Sequence, residues 1–290
     1  MIKITLPATT ANFGIGFDTL GMSLDLYNVF TFKQSDAHRT IGFDENIKSH
    51  ENLVLSSYIL FAEAYQKKSE ILFVEIEQLE SQIPVSRGLG SSAACILAGV
   101  FGANIMNELG KTYEECVDFA AKIEGHPDNV FACAYGGFIS AYLENENYYY
   151  DQYPISKSIQ FQLLIPLVTG NTSLLRKVLP TSLSYQDTVH NLSRIISLPN
   201  ALQDGDFLKL KRILKDQLHE PYRFPFIPQS SLIQELNQQP NLIALISGSG
   251  PTVLLLHLDS EVPFIVQDIL DTFELVEIKI GNKLETEVLK

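Results

Sequence analysis

Cysteine is scarce in this 290-residue chain, which contains three: Cys95, Cys116 and Cys133. Their number is odd and their spacing wide, and the sequence has no CxxC pair and no Cys/His zinc pattern. This excludes a disulfide framework and a zinc site of the usual spacing. We expect all three cysteines to be small buried hydrophobic side chains in a reducing compartment.

Basic residues are also few, with 21 lysines and arginines against 34 acidic residues and a formal net charge of -13. A chain this acidic repels nucleic acids and anionic membrane surfaces, so we expect neither as a partner. An anionic ligand would therefore require a local site, built from backbone N–H groups and a few well-placed cations.

Long apolar runs are missing as well. The longest, 96–106 and 253–258, fall well short of the ~20 residues that a membrane-spanning helix needs. The first residues, MIKITLPATT, turn polar before a signal-peptide core can form. We therefore expect a soluble, cytoplasmic protein, and 46% hydrophobic residues provide ample material for a packed core.

Hydrophobic spacing predicts a mixture of strands and helices without a regular βαβ repeat, which indicates the α+β class. The predicted strands are 2–6, 24–32, 71–79, 138–143, 159–167, two flanking the turn within 242–258, and 275–280. The predicted helices are 52–68, one from residue 91, 112–124, 173–179, 185–198, 206–215, 230–238 and 262–273. The segment 144–153, ENENYYYDQY, is predicted to be a turn region and the boundary between domains 1–153 and 154–290.

The most informative segment is PVSRGLGSSAA, which leads from a predicted strand into a predicted helix. It lacks the lysine of a P-loop and the GxGxxG of a dinucleotide fingerprint. Flexible glycine backbone, cap hydroxyls and the positive end of a helix nevertheless suit an anion, and a nucleotide triphosphate fits. The alternative is a tight turn without a ligand. The candidate nucleotide-binding residues are Pro84, Val85, Ser86, Arg87, Gly88, Leu89, Gly90, Ser91, Ser92, Ala93 and Ala94.

Two further glycine-rich turns, PATTANFGIGFDTLG at 7–21 and SGSGPT at 247–252, also follow apolar segments. Any one of them could be only a turn. Together they suggest that three stretches of backbone converge on a small ligand.

These three motifs, in this order and spacing, are similar to the signature motifs of the GHMP small-molecule kinases. Within that superfamily EGHPDN, the following GG, LLRKVLP and HEPYR resemble the homoserine kinase family. The resemblance implies a two-domain fold, with an N-terminal nucleotide-binding domain and a C-terminal ferredoxin-like α/β domain. It also implies ATP-dependent phosphorylation of the side-chain hydroxyl of L-homoserine to O-phospho-L-homoserine, on the route to threonine, by a homodimer.

The resemblance further implies residues for the amino-acid substrate. Arg176 and Arg223 match family arginines and can hold a carboxylate in a bidentate manner. Asn12 and Asp18 match residues that hold the ammonium and hydroxyl end, although an acid in such a turn can be purely structural.

His126 and Asn129 match substrate-contacting positions, whereas Asp128 between them could equally well hold the turn together. We expect Asn129, Asp18 and Arg176 to lie beside the reacting groups. Because the Asn129 amide cannot take a proton from the hydroxyl, we expect catalysis without a dedicated general base.

For Mg²⁺, the resemblance implies a serine of the loop, Ser92 or Ser91, and an acid on the following helix. Asp118 matches the acid position by its spacing, and Glu124 is its rival, although Glu124 could be a solvated helix end. The adenine is expected beside Asn52, for which a helix N-cap is the plainer interpretation.

Three alternatives stay open. The chain could be another GHMP kinase, acting on mevalonate, a diphosphocytidyl-methylerythritol or shikimate. It could instead be a catalytically inactive nucleotide-binding homologue, or an anion-binding module unrelated to kinases. The arginine pair and EGHPDN favour an amino-acid acceptor, and the intact loop with both serines favours an active enzyme.

Overall fold

A computed structural model describes residues 1–43, 51–66, 71–167, 175, 177–259 and 263–289. Arg176 and most of the predicted helix 173–179 lie outside the described residues. In the described part, helices and strands are mixed as the sequence predicts, and the fold is α+β.

The first sheet contains the chain's earliest strands. Its strand order is β11-β1-β2-β4-β3, and β5 pairs with both β2 and β6. All neighbouring pairs are antiparallel except β3 with β4. The strands are β1 (Ile2–Ala11), β2 (Leu20–Gln34), β3 (Arg39–Ile41), β4 (Val74–Ser81), β5 (Phe138–Glu144), β6 (Asn147–Tyr153) and β11 (Glu285–Val288).

Four helices accompany this sheet: α1 (Leu53–Tyr65), α2 (Ser91–Met106), α3 (Tyr113–Glu124) and α4 (Pro127–Tyr135). Helices α2 and α4 pack against β1 and β2, and α1 and α3 pack against α2. The predicted capping box is confirmed, since Thr112 and Glu115 exchange hydrogen bonds at the start of α3. Helix α4 was not predicted; Pro127 occupies its first turn, where its fixed φ suits a helix start.

The second sheet has the order β10-β7-β9-β8 and is antiparallel throughout. Its strands are β7 (Ile159–Pro166), β8 (Leu242–Ile246), β9 (Val253–Leu258) and β10 (Phe273–Ile278). The remaining helices are α5 (Tyr185–Ile195), α6 (Leu198–Asp204), α7 (Phe207–Ile213), α8 (Glu220–Arg223), α9 (Ser230–Leu236) and α10 (Gln267–Leu270).

Two predicted elements were wrong. The segment 147–153 is not a turn region but strand β6, which pairs with β5 along its length. Its tyrosines alternate between the two faces: Tyr150 stacks on Tyr135, whereas Tyr149 stacks on Tyr142. The predicted helix 262–273 is only the single turn α10, because Phe273 begins β10 and pairs with Pro166.

A continuous core joins the two sheets. The centroid of the Phe13 ring lies 4.8 Å from the ring centroid of Phe138 in the first sheet and 6.5 Å from that of Phe161 in the second. Strand β11 returns to the first sheet, where Val288 pairs with Ile2. The division at residue 153 therefore stays a prediction, and it does not apply to the strand at 285–288.

All three cysteines are free, and Cys116 and Cys133 are buried. Across the described ranges, the helices are too short or too polar to cross a membrane.

Candidate active site

The three glycine-rich turns meet, as their spacing suggested. The Thr9 N–H donates to the Leu89 carbonyl oxygen over 3.1 Å. The Ser247 hydroxyl donates to the Gly88 carbonyl oxygen over 2.7 Å. The first motif, through a backbone N–H, and the third, through a side-chain hydroxyl, are thus hydrogen-bonded directly to the loop of the second.

The loop glycines are required first by these protein contacts. Gly88 and Gly90 have φ values of 75° and 70°, which disfavour any residue with a Cβ. A Cβ on Gly88 would overlap the Ser247 carbonyl oxygen, and one on Gly90 would overlap the Thr9 hydroxyl. At these two positions, therefore, the lack of a side chain lets the three loops approach one another, and not only a ligand.

A cavity of about 490 Å³ lies against this loop; we call it the loop cavity. Its volume is within the range of small-molecule sites. Pro84, Val85, Ser86, Arg87, Gly88, Leu89, Gly90, Ser91 and Ser92 all line it, together with Asn28, Asn52, Cys95, Glu124, Asn129, Gly248 and Ser249 among others. Ala93 and Ala94 are buried in the first turn of α2 and do not line it.

Helix α2 points its amino terminus at the loop cavity. Gly90 is its N-cap residue, and no side chain caps the first amides. These amides and the positive end of a 16-residue helix favour an anion there. Arg87 lies at the cavity edge, where Nε donates to the Pro166 carbonyl oxygen (3.0 Å) and Nη1 to that of Val85 (3.3 Å). The Arg87 guanidinium therefore also joins the loop to β7.

Asn52 is the N-cap of α1, as the plainer interpretation had it, and it also lines the loop cavity. Its Oδ1 caps α1 by accepting from the N–H groups of Val54 and Leu55, at 3.0 and 3.2 Å, and its buried side chain borders the loop cavity. Asn28 is a lining residue that sequence reasoning missed. It accepts from the Ile83 N–H at 3.0 Å, and its signal was an amide within the apolar strand β2.

Of the candidate metal ligands, Ser92 and Glu124 are in contact with each other at the loop cavity. The Ser92 hydroxyl donates to Glu124 Oε2 over 2.7 Å at the loop cavity. Ser91 also lines the loop cavity, one helical turn before Cys95, whose thiol pKa is raised to about 12 by burial. Asp118 is not brought to the cavity. It precedes Glu124 by six residues, so the two side chains point about 120° apart around α3.

Burial raises the pKa of Asp118, and its charged neighbours are Lys122 and Glu114 rather than the loop. Within the described ranges, no three His, Cys, Asp or Glu side chains form a cluster that could hold a metal ion. Two hard oxygen donors, those of Ser92 and Glu124, still suit Mg²⁺, which commonly takes one or two protein ligands and completes its shell with phosphates and water.

A second cavity of about 220 Å³ adjoins the first; we call it the acceptor cavity. Asn129, Gly248 and Ser249 line both. The acceptor cavity is also lined by Ala11, Asn12, Phe17, Asp18, His126, Asp128, Leu179 and Arg223. The structure thus brings together every predicted substrate residue except Arg176, which lies outside the described residues.

Asn12 and Asp18, both from the first motif, line the acceptor cavity. Asn12 is buried with φ 67°, a conformation that asparagine tolerates better than most residues. Its Nδ2 donates to the Gly248 carbonyl oxygen over 2.7 Å, and its Oδ1 accepts from the Asp18 N–H at 3.0 Å. Asn12 therefore shapes the cavity, while the exposed Asp18 brings a carboxylate to its wall.

The EGHPDN segment is held by Asp128. A single oxygen, Asp128 Oδ1, lies 2.9 Å from His126 Nδ1 and accepts from the Asn129 N–H at 2.7 Å. His126 Nε2 lies 3.9 Å from Glu124 Oε1, so this segment also connects to the candidate metal ligands. Asp128 holds the turn, as one of the two interpretations had it, and it lines the acceptor cavity as well.

Arg223 is a buried cation at the acceptor cavity. It is only 3% exposed, and its guanidinium lies over the Phe17 ring at 5.5 Å. Nε donates to the Leu175 carbonyl oxygen and Nη1 to that of Gly248, both over 3.1 Å. These contacts hold the charge against the third motif.

His219 supports Arg223 and was missed as a site residue, although HEPYR contains it four positions earlier. It is fully buried, and Nε2 donates to the Gly14 carbonyl oxygen over 2.7 Å. Burial lowers its pKa to about 4, against the opposing effect of Asp216. The ring is therefore neutral, and Nδ1 accepts from Arg223 Nη1 at 3.2 Å.

Comparisons with known proteins agree with this geometry. Residues 52–137 match the family model for the GHMP kinases N terminal domain. A homoserine kinase from Clostridium acetobutylicum is 36% identical over 271 residues, which cover 92% of this chain and 91% of that protein. One from Clostridium botulinum is 35% identical over 99% of this chain and 98% of its own.

Among solved structures, a homoserine kinase from Cytophaga hutchinsonii superposes with a TM-score of 0.81 at 24% identity, covering 99% of this chain and 97% of that one. This structural likeness establishes the fold. With the fold, the converging motifs and the near full-length relatives in agreement, the chain belongs to the homoserine kinase family of the GHMP kinases.

Proposed function

We propose that the chain transfers the γ-phosphoryl group of ATP to the side-chain hydroxyl of L-homoserine, giving O-phospho-L-homoserine. The observation that carries this proposal is the junction of the loop cavity and the acceptor cavity at Asn129, Gly248 and Ser249. Two ligands that meet at such a junction can react without either leaving its site, which is the main requirement of phosphoryl transfer.

The nucleotide is assigned to the loop cavity. The uncapped amides at the start of α2 would hold phosphate oxygens, and the loop between Pro84 and Gly90 would follow the triphosphate. Asn52 borders the far side, where the adenine is expected. Ser92 and Glu124 would hold Mg²⁺, whose bound charge neutralises the phosphates during transfer.

The amino acid is assigned to the acceptor cavity, where opposite charges match its ends. The buried guanidinium of Arg223 would bind the carboxylate, with Arg176 as its predicted partner. The carboxylate of Asp18 would face the ammonium group. This leaves the side-chain hydroxyl to reach the junction near Asn129.

We further propose that transfer proceeds without a dedicated general base. Asn129 presents an amide, which cannot accept a proton from the hydroxyl. The nearby Asp128 Oδ1 already accepts from the Asn129 backbone and contacts His126. Positioning and charge neutralisation would then carry the reaction.

The test is an assay of ADP release from MgATP with L-homoserine, mevalonate and shikimate as acceptors, and with no acceptor. We expect turnover with homoserine alone. Preferred turnover of another alcohol would overturn the acceptor assignment. ATP binding without turnover of any acceptor would identify an inactive homologue. Arg212→Ala is the matched control for arginine variants, because Arg212 lies on α7 and lines neither cavity.

The homodimer stays a prediction, as do the role of Arg176 and the domain boundary. Analytical ultracentrifugation of the purified chain measures the first directly.

A further inference from the structure

Thr9 lies beneath the junction of the two cavities without reaching either. It is fully buried in β1, two residues after the proline that opens the first motif. Its backbone N–H donates to the Leu89 carbonyl oxygen over 3.1 Å, and its hydroxyl donates to Asn129 Oδ1 over 2.6 Å. One buried residue therefore contacts both the phosphate loop and the amide at the reaction site.

The Asn129 amide has one favourable orientation. With Oδ1 toward the Thr9 hydroxyl, Nδ2 lies on the side of Asp128 Oδ1, at 3.4 Å. Rotating the amide by 180° would put its oxygen against that carboxylate oxygen, which is repulsive, and would leave the nitrogen toward Thr9. The charge of Asp128 therefore selects this orientation, in which Asn129 Oδ1 is the acceptor that the buried Thr9 hydroxyl needs.

This orientation decides what the junction offers to a ligand. The acceptor end of the Asn129 amide is occupied by a buried hydroxyl, so the end that it offers to the cavities is the NH₂ donor. A donor stabilises negative charge on oxygen as the phosphoryl group is transferred, whereas a carbonyl oxygen at the same place would repel it.

The absence of a side chain at Gly90 leaves room for this contact between Thr9 and Asn129. A Cβ at Gly90 would overlap the Thr9 hydroxyl, and it would lie 3.2 Å from Asn129 Oδ1. The hydroxyl therefore fits between the loop and the amide, with no room for a bulkier residue at Gly90.

We propose that Thr9 is a positioning residue that fixes the Asn129 amide with its NH₂ toward the transferred phosphoryl group. This proposal rests on the proposed function. Thr9 is not itself a catalytic residue, because its buried side chain touches neither ligand site.

The experiment compares Thr9→Val, which keeps the shape but removes the donor, with Thr9→Ser, which keeps the hydroxyl. We expect Thr9→Val to lower kcat about tenfold, since it leaves the Asn129 oxygen without its partner. The backbone bond to Leu89 is retained, so ATP affinity by calorimetry and the KM for homoserine should change less than twofold. Thr9→Ser should restore most of kcat.

The neighbouring Thr10 provides a matched control. It is equally buried on β1, and its hydroxyl has no hydrogen-bond partner within the described part of the chain. Thr10→Val should therefore leave kcat unchanged while making the same chemical substitution one residue away.

A double-mutant cycle separates positioning from a general structural role. In an Asn129→Ala background, Thr9→Val should change kcat less than twofold. Additive losses, or an unchanged kcat in Thr9→Val alone, would overturn the proposal. If Thr9→Val proves less thermostable, Thr9→Ala is carried through the same cycle. Absence of homoserine turnover by the wild type would instead overturn the proposed function, and the cycle would then be run with the acceptor that the panel identifies.

Discussion

The loop cavity and the acceptor cavity differ in the kinds of group that form them. The first is formed largely by main-chain groups: a glycine-rich loop, the uncapped amides of α2 and the backbone of the third motif. The second is formed by side chains held by two sets of buried hydrogen bonds, one between His126 and Asp128 and one that joins His219 to Arg223. We infer that nucleotide binding depends on backbone shape, whereas acceptor choice depends on a few buried charges.

The largest expected effect removes the buried charge of the acceptor cavity. Arg223→Ala should raise the KM for homoserine about 30-fold to several thousand-fold, because losing one partner of a desolvated charge pair costs roughly 2–5 kcal/mol. ATP affinity, measured by calorimetry, should stay close to that of the wild type. Equal losses for both ligands would show that the two cavities are not separable.

A smaller effect is expected from the hydrogen-bonded pair Ser92 and Glu124, the candidate Mg²⁺ ligands. Glu124→Gln should lower kcat at saturating homoserine about tenfold or more, since hydrogen bonds to charged groups contribute roughly 1.5–3 kcal/mol. Steady-state assays at increasing Mg²⁺ provide the measurement, and partial recovery at high Mg²⁺ would support a metal role. Asp118→Asn is the matched control on the same helix and should leave kcat and its Mg²⁺ dependence unchanged.

The loop backbone should respond to a single methyl group. Gly88→Ala places a Cβ at φ 75° against the Ser247 carbonyl, and strained backbone of this kind costs about 1–3 kcal/mol. Urea denaturation should show the loss, and ATP affinity should fall more than homoserine affinity. A variant with wild-type stability and ATP affinity would contradict a main-chain origin of nucleotide binding.

The most gradual effect concerns pH, because it is spread over several pH units. Burial raises the pKa of Glu220 to about 8. The unfolded chain releases this proton near the ordinary value of 4.5, so between these pH values the folded state binds more protons. The free energy of unfolding should therefore fall as pH rises, by at most about 1.4 kcal/mol per pH unit.

His219 has the opposite effect, and in a lower range. Its folded pKa of about 4 is below its ordinary value, so it makes the protein more stable as pH rises from about 4 to 6.5. Denaturation between pH 6.5 and 8 therefore isolates Glu220, and Glu220→Gln should flatten the slope there. An unchanged slope would assign it to other groups.

The sequence predicted those parts of the site that depend on local chemistry. Glycine turns at the ends of apolar segments identified all three motifs, and HEPYR identified Arg223. The lining role of Asn28 and the support from Thr9 could not be predicted, because each depends on a partner far away in the chain; His219 is only four residues before Arg223, but its ring is held by the distant Gly14. Thr9 and Asn129, for example, are 120 residues apart.

Helix periodicity explains the separation of Asp118 from Glu124, and it could have been applied to the predicted helix 112–124, which matches α3 closely. The prediction for 144–153 failed for a different reason. Its residues, with three tyrosines in a row and then Asp-Gln, show neither the period of a helix nor the alternation of a half-buried strand, so the segment carries no strand signal. Strand β6 is largely exposed, and only Tyr148 and Tyr153 are partly buried, so it has no apolar face that the sequence could reveal.

The return of β11 to the first sheet has a consequence for synthesis. The strand that carries the first motif emerges from the ribosome early, but one of its two neighbours is made only with residues 285–288. The third motif, which is hydrogen-bonded to the phosphate loop, is synthesised only shortly before β11. A nascent chain that stops short of residue 247 would keep the bond between Thr9 and Leu89 but would lack the bonds of the third motif to Gly88 and Asn12, so the proposed nucleotide site would be incomplete.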